Sequence, residues 1–324
     1  MTEHVLLFIH GITPEAQPTP HSALYDHFWS GLTREQPSLS RAIGPNIARV
    51  EWGNHLHPGP ARKDELLSDA ESQASRLVAN EAVRSHPGPN NVLHPGPLGD
   101  WNIIPGLRWV MRLVREELVQ FGLADAIYYA SQDGEQAVRA AVYGQVLAQL
   151  RPLRTAADSV MLHVVAHSLG VTVAHDFLYG LFGKRDIPDY LGQAASAEDQ
   201  NDYLLWRERA GRRQLRFGSF VSMASQLPLF VMRKQLLVDR LAAGGVLDPL
   251  AIGLEPSGQV QWLIVYDVDD ALGFATRELY GNRPELRQVQ VDVGDTPVNA
   301  HMNYWTNETV IREAAQLMAA RLGA

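Results

Sequence analysis

The feature that most constrains this chain is an apolar run that ends abruptly on a small-x-Ser-x-Gly turn. Met161-Leu162-His163-Val164-Val165 leads into Ala166-His167-Ser168-Leu169-Gly170, and a helix is predicted directly after it, over 171–181. Short continuous apolar runs suit strands covered on both faces, the environment of a parallel sheet. A strand that turns at once into a helix brings two backbones together. The residues two before and two after the serine must therefore be small, and Ala166 and Gly170 are. A second such run, Val5-Leu6-Leu7-Phe8-Ile9, stops at His10-Gly11. Further strands are expected over 47–52, 215–223, 260–266 and 286–293, with helices over 23–32 and 306–322. Strands alternating with helices argue for an α/β fold, a doubly wound and mostly parallel sheet. At 324 residues and 46% hydrophobic content, one such domain spanning 1–324 accounts for the chain.

The stretch 53–134 breaks this rhythm and reads as an insertion. It carries His-Pro-Gly-Pro three times, at 57–60, 86–89 and 94–97. The irregular spacing favours turns over a metal-binding repeat. A polar helix is predicted over 63–83. Leu107, Val110, Met111, Val114, Leu118 and Phe121 fall on one face of another. That face suits a helix packed on the core or a cap over a site, and Trp101 and Trp109 add apolar surface to it.

The formal net charge is −8, which disfavours binding to phosphate backbones, so no nucleic-acid partner is expected. The arginines of 207–213 read as a solvated helix face. The absence of cysteine excludes a thiol nucleophile, a disulfide framework and thiolate metal sites. His163 and His167 are four apart across a strand and a turn rather than on one helix face, so no metal pair is read there. Neither a signal peptide nor a membrane span is legible. A cytoplasmic location is the default, and a mature secreted form stays open.

Ala166-His167-Ser168-Leu169-Gly170 resembles the nucleophile elbow of the α/β-hydrolases, in the form with Ala for the first Gly. In that setting Ser168 would sit on a strained turn with its hydroxyl free to attack. The Leu169 N–H would stabilise an oxyanion at the helix N-terminus. The alternative is a serine that merely caps the helix. In this family the chain order is serine, acid, histidine. Asp267-Val268-Asp269-Asp270-Ala271-Leu272 follows the run 260–266 and resembles the Tyr-Asp-x-x-Asp-x-Leu stretch of a group of bacterial α/β-hydrolases. That resemblance gives Asp270 the role of acid, with Asp267 as runner-up and Asp269 third. His301 is the sole histidine beyond His175 and is expected on a loop before the last helix. Its His-x-x-Tyr-Trp context resembles the same group. His10-Gly11-Ile12 resembles the His-Gly-x element of lipases and esterases, which implies a second oxyanion donor at the Ile12 N–H. His10, Gly11, His167 and Gly170 would shape the site loops. The resemblance implies a serine esterase or lipase acting on small or lipid-like esters, with no cofactor and no metal. An acyltransferase or thioesterase with the same residues, and a non-catalytic binding member of the fold, remain open at this point.

Overall fold

The computed structural model describes residues 2–11, 21–52, 129, 132–184, 190–231, 235–270, 272–294 and 297–323. The three His-Pro-Gly-Pro sequences, the helices predicted over 63–83 and 107–121, and Ile12 lie outside them. The elements in chain order are β1 (Thr2–Ile9), α1 (His21–Glu35), α2 (Ser38–Ile43), β2 (Ile47–Val50), α3 (Gln132–Leu150), α4 (Leu153–Ala156), β3 (Ser159–His167), α5 (Leu169–Phe182), α6 (Ala197–Gly211), β4 (Leu215–Met223), α7 (Leu227–Val231), α8 (Gln235–Ala242), β5 (Trp262–Tyr266), α9 (Arg277–Tyr280), β6 (Leu286–Gln290), α10 (Pro297–Met302) and α11 (Glu308–Ala320). Gly134, taken from sequence as the end of the insertion, falls inside α3.

The six strands form one all-parallel sheet in the order β2-β1-β3-β4-β5-β6. Residues of β1 alternate between two cores. Val5, Leu7 and Ile9 join the side chains of α3, α5 and α6 on one face, while Leu6 and Phe8 join those of α1, α2 and α11 on the other. Both faces are thus covered by helices, which is why the strands read as unbroken apolar runs. Helix α11 supplies Val310, Ile311, Ala314, Ala315, Leu317 and Met318 to its core. It begins where the Asn307 side chain accepts from the Thr309 and Val310 N–H groups, a cap that contributes about 1 kcal/mol.

Two strands end earlier than the sequence suggests, and each early end serves the polar loops above the sheet. Strand β6 was expected to run to 293 but stops at Gln290, after which the Val293 N–H bonds the Asp267 carboxylate, 2.7 Å. Strand β2 was expected to reach Trp52 but stops at Val50, and the Trp52 indole N–H bonds the His10 carbonyl, 2.9 Å. The arginine-rich end of α6 is a correction. Arg212 is solvated and pairs with Glu208, but Arg209 is buried. Its guanidinium donates to the carbonyls of Leu153, Arg154, Ala157 and Asp158. Planar multidentate donation of that kind lets an arginine sit inside the fold.

The chain runs from β1 outward to β2, then returns to the other side of β1 as β3. This reversal makes the carboxyl ends of β1 and β3 the topological switch point, where ligands bind in open α/β sheets.

Candidate active site

Ser168 stands at that switch point, between β3 and α5. Its backbone has φ 55° and ψ −130°, a conformation costing of order 1–3 kcal/mol for a residue with a Cβ. Its hydroxyl makes no cap bond to α5, so the helix-capping alternative does not describe it. The turn is held from the next strand, where the Met223 carbonyl accepts the Ser168 N–H at 2.9 Å. Two close approaches explain the glycines around it. A Cβ on Gly170 would lie 2.2 Å from the His10 carbonyl oxygen, and one on Gly11 would lie 2.4 Å from the Ser168 Cβ. The β1–β3 register, with Ile9 opposite Ala166, brings Gly11 alongside Ser168.

Ser168, His301 and Asp270 come together. His301 Nε2 lies 2.8 Å from Ser168 Oγ, and His301 Nδ1 lies 2.9 and 3.0 Å from the two Asp270 oxygens. The tautomer follows from the acid. Asp270 Oδ1 accepts from the Leu272 N–H at 2.9 Å, and Oδ2 accepts from the Tyr304 hydroxyl at 3.1 Å. Nδ1 therefore carries the proton donated to Asp270, and the Nε2 lone pair faces the serine hydroxyl. All three residues are buried, which strengthens these bonds relative to water. His301 lies in the last turn of α10 rather than on a loop.

The other two aspartates do different work. Asp267 accepts from the Asp269 N–H at 2.9 Å and from the Val293 N–H, stitching the end of β5 to the chain leaving β6. Burial raises its pKa, partly offset by those two bonds. Asp269 is exposed. Tyr304 links the two buried acids, because its hydroxyl donates to Asp270 and accepts the Asp267 N–H at 2.8 Å. Burial, with Asp270 alongside, pushes the Tyr304 pKa far up, so it remains a donor.

The site-loop residues hold the scaffold. His167 Nε2 lies 2.6 Å from the His301 carbonyl. Burial, and next the neighbouring His301, hold the His167 pKa well below its ordinary value. It is therefore a neutral ring donating its Nε2 proton. Leu169 is the first residue of α5, so its N–H has no intrahelical partner. His10 Nδ1 bonds the Gly11 carbonyl at 2.7 Å, and Nε2 accepts the Trp52 N–H at 3.0 Å.

One group of side chains has metal-ligand chemistry among the described residues: His10, His21 and Glu51, whose ligand atoms lie within 4.8 Å of one another. The Trp52 N–H already occupies the His10 lone pair a cation would need. The two rings are stacked, with centroids 3.7 Å apart. Burial depresses both pKa values, that of His21 to about 4. His10 is thus uncharged, and its 3.7 Å approach to Glu51 is no ion pair. The cluster braces the His10–Gly11 turn.

No protein-family model, curated protein or solved structure matches this chain. Sequence reasoning missed Gln226, Tyr304 and Trp52. Gln226 Nε2 lies 3.1 Å from Ser168 Oγ. Its one signal is position, directly after the strand that neighbours β3. Tyr304 had a signal in its spacing from His301, three residues on. Among the described residues no helix is long and apolar enough to cross a membrane.

Proposed function

We propose that this chain is a serine hydrolase of the α/β-hydrolase kind that cleaves carboxylic esters through an acyl-enzyme. One observation carries the reading: an unbroken buried hydrogen-bond chain from Asp270 through His301 to Ser168, whose serine stands on a positive-φ turn at the sheet's switch point.

In the first step Ser168 Oγ bonds the ester carbonyl carbon as its proton passes to His301 Nε2. The carbonyl π pair moves onto oxygen, which the Leu169 N–H receives; Ile12, the second donor suggested by the sequence, lies outside the described residues. The adduct collapses with cleavage of the C–O bond, and His301 returns the proton to the leaving alcohol. Water then repeats the sequence on the acyl-serine, giving the acid and free Ser168. Asp270 keeps His301 in the productive tautomer and stabilises it once it is protonated. Every proton has a donor and an acceptor within this set, so no cofactor or metal enters the scheme.

The test is a panel of p-nitrophenyl esters of rising chain length, with fluorophosphonate labelling of wild type and Ser168→Ala. Wild type is expected to turn over esters and to label at Ser168. Ser168→Ala should lose the label and at least about 10³-fold in kcat. Full turnover by a folded Ser168→Ala refutes the proposal.

A further inference from the structure

The mechanism above leaves one buried polar group beside the nucleophile without a task. Gln226 is 1% exposed, and its amide orientation is set by the serine. Ser168 spends its single proton on His301, so Oγ can only accept from Gln226. The atom 3.1 Å away is therefore Nε2–H. That leaves Oε1 pointing elsewhere. It is buried and has no hydrogen-bond partner among the described residues. Amide geometry keeps Oε1 within about 5.5 Å of Ser168 Oγ.

An unpaired buried carbonyl costs about 1–3 kcal/mol. If Gln226 served only to fill space, an apolar side chain would do so without that cost. A rigid loop holds it in place. Ala224 has φ 52° and donates its N–H to the Val265 carbonyl, and the Ser225 carbonyl accepts the Phe274 N–H at 3.0 Å. Gln226 also approaches from the β4 side of Ser168, whereas Gly11 flanks the serine from the β1 side. Oε1 is thus a buried acceptor with no partner among the described residues, held close to the nucleophile.

We infer that Gln226 determines specificity: its Oε1 accepts a hydrogen bond from an O–H or N–H group of the substrate adjacent to the scissile carbonyl. The preferred substrates are hydroxy- or amido-substituted esters rather than plain alkyl esters. This rests on the esterase reading above and narrows its substrate class. A site built to bond such a group discriminates against the analogue lacking it, because the buried acceptor is then left unpaired.

The experiment compares two matched pairs: p-nitrophenyl 3-hydroxybutyrate against the butyrate, and 2-hydroxyethyl butyrate against propyl butyrate. The first places the donor on the acyl side and the second on the alcohol side. Each enzymatic kcat/KM ratio is divided by the corresponding ratio for hydroxide hydrolysis, which removes intrinsic reactivity. Wild type is expected to favour the hydroxylated member of at least one pair by about ten-fold. In Gln226→Met, of similar shape but without either polar atom, the corrected ratio should fall to about one. Thermal melting and fluorophosphonate labelling confirm that the variant is folded. No preference by wild type in either pair overturns the inference even if Gln226→Met fails to fold, and so does a preference that survives the substitution. Esters hydrolysed without discrimination refute Gln226 alone. No hydrolysis and no labelling by wild type refute the esterase reading and the inference with it.

Discussion

Replacing Asp270 by Asn separates the roles of the three aspartates after β5. In the wild-type arrangement Asp270 is purely an acceptor, receiving hydrogen bonds from His301 Nδ1, the Leu272 N–H and the Tyr304 hydroxyl. A carboxamide keeps one acceptor oxygen and presents two N–H donors. The Leu272 N–H claims the oxygen at the Oδ1 position, which puts the amide nitrogen in place of Oδ2, 3.0 Å from His301 Nδ1. The imidazole must then carry its proton on Nε2, and that proton points at Ser168 Oγ, 2.8 Å away. The base is occupied before the reaction starts. Wrong-tautomer variants of this kind lose about 10⁴-fold in kcat, equivalent to about 5.4 kcal/mol of barrier. Asp267→Asn disturbs instead the loop bonds to the Asp269 and Val293 N–H groups. It should lower stability by about 1–3 kcal/mol while kcat stays within about ten-fold. The assay is steady-state ester hydrolysis on both variants, with urea unfolding to confirm that each is folded. A folded Asp270→Asn within ten-fold of wild type refutes the reasoning, as does an Asp267→Asn variant equally impaired.

Two further outcomes are expected. Tyr304→Phe removes a donor from Asp270 and leaves the buried Asp267 N–H unpaired, so unfolding free energy should fall by about 1–3 kcal/mol. Its kcat should fall several-fold with KM unchanged, and equal changes in both parameters would count against an effect exerted through Asp270. The second concerns acid. His4 Nδ1 on β1 and His163 Nε2 on β3 are 3.0 Å apart, and His163 Nδ1 bonds Ser219 Oγ on β4 at 2.8 Å. Burial, then His4 and Arg321, lowers the His163 pKa to about 3, and burial lowers that of His4 against a small opposing pull from Glu3. A base with a depressed native pKa binds fewer protons folded than unfolded, so stability is full above pH 6.5 and falls as pH drops towards the native value. His163 alone removes about 2 kcal/mol between pH 6.5 and 5. Urea midpoints at pH 7 and pH 5 should show a smaller acid loss in His163→Gln than in wild type, and equal losses would disprove the assignment.

Much of the fold was legible because parallel strands buried on both faces have no polar face to interrupt them. Val5–Ile9 and Met161–Val165 could be read directly, and 215–223 matches β4 end for end. Helix α3 went unread, and of α6 only the arginine-rich end was taken as helix, although both carried signals. Helix α3 buries Val138, Val142, Val146 and Leu150 at helical spacing, and Ser196 caps α6 by accepting the Asp199 N–H at 3.1 Å. In the site, Ser168 and His301 were picked out by a motif and by order along the chain, the preference for Asp270 came from the family resemblance, and the structure brings those three side chains together. Strand ends were misjudged where a backbone N–H deserts the ladder for a side chain, as Val293 does for Asp267. Propensity and pattern do not register such an exchange.

The residues missed in the site share one property: their roles depend on register between strands rather than on neighbours in sequence. Trp52 is 42 positions from His10, Gln226 is 58 from Ser168, and Tyr304 is 34 from Asp270. Each becomes a neighbour because parallel strands in register end at the same edge of the sheet. The same fact explains why the strain at Ser168 persists. A positive-φ serine is unfavourable by itself, but the Met223 carbonyl holds its N–H, Gly11 and Gly170 leave room for it, and His301 and Gln226 bond its hydroxyl. Relaxing the turn would break several of these contacts at once. In the proposed reaction, Oγ held this way is already aimed before any substrate arrives, so little of the binding energy need go to orienting it.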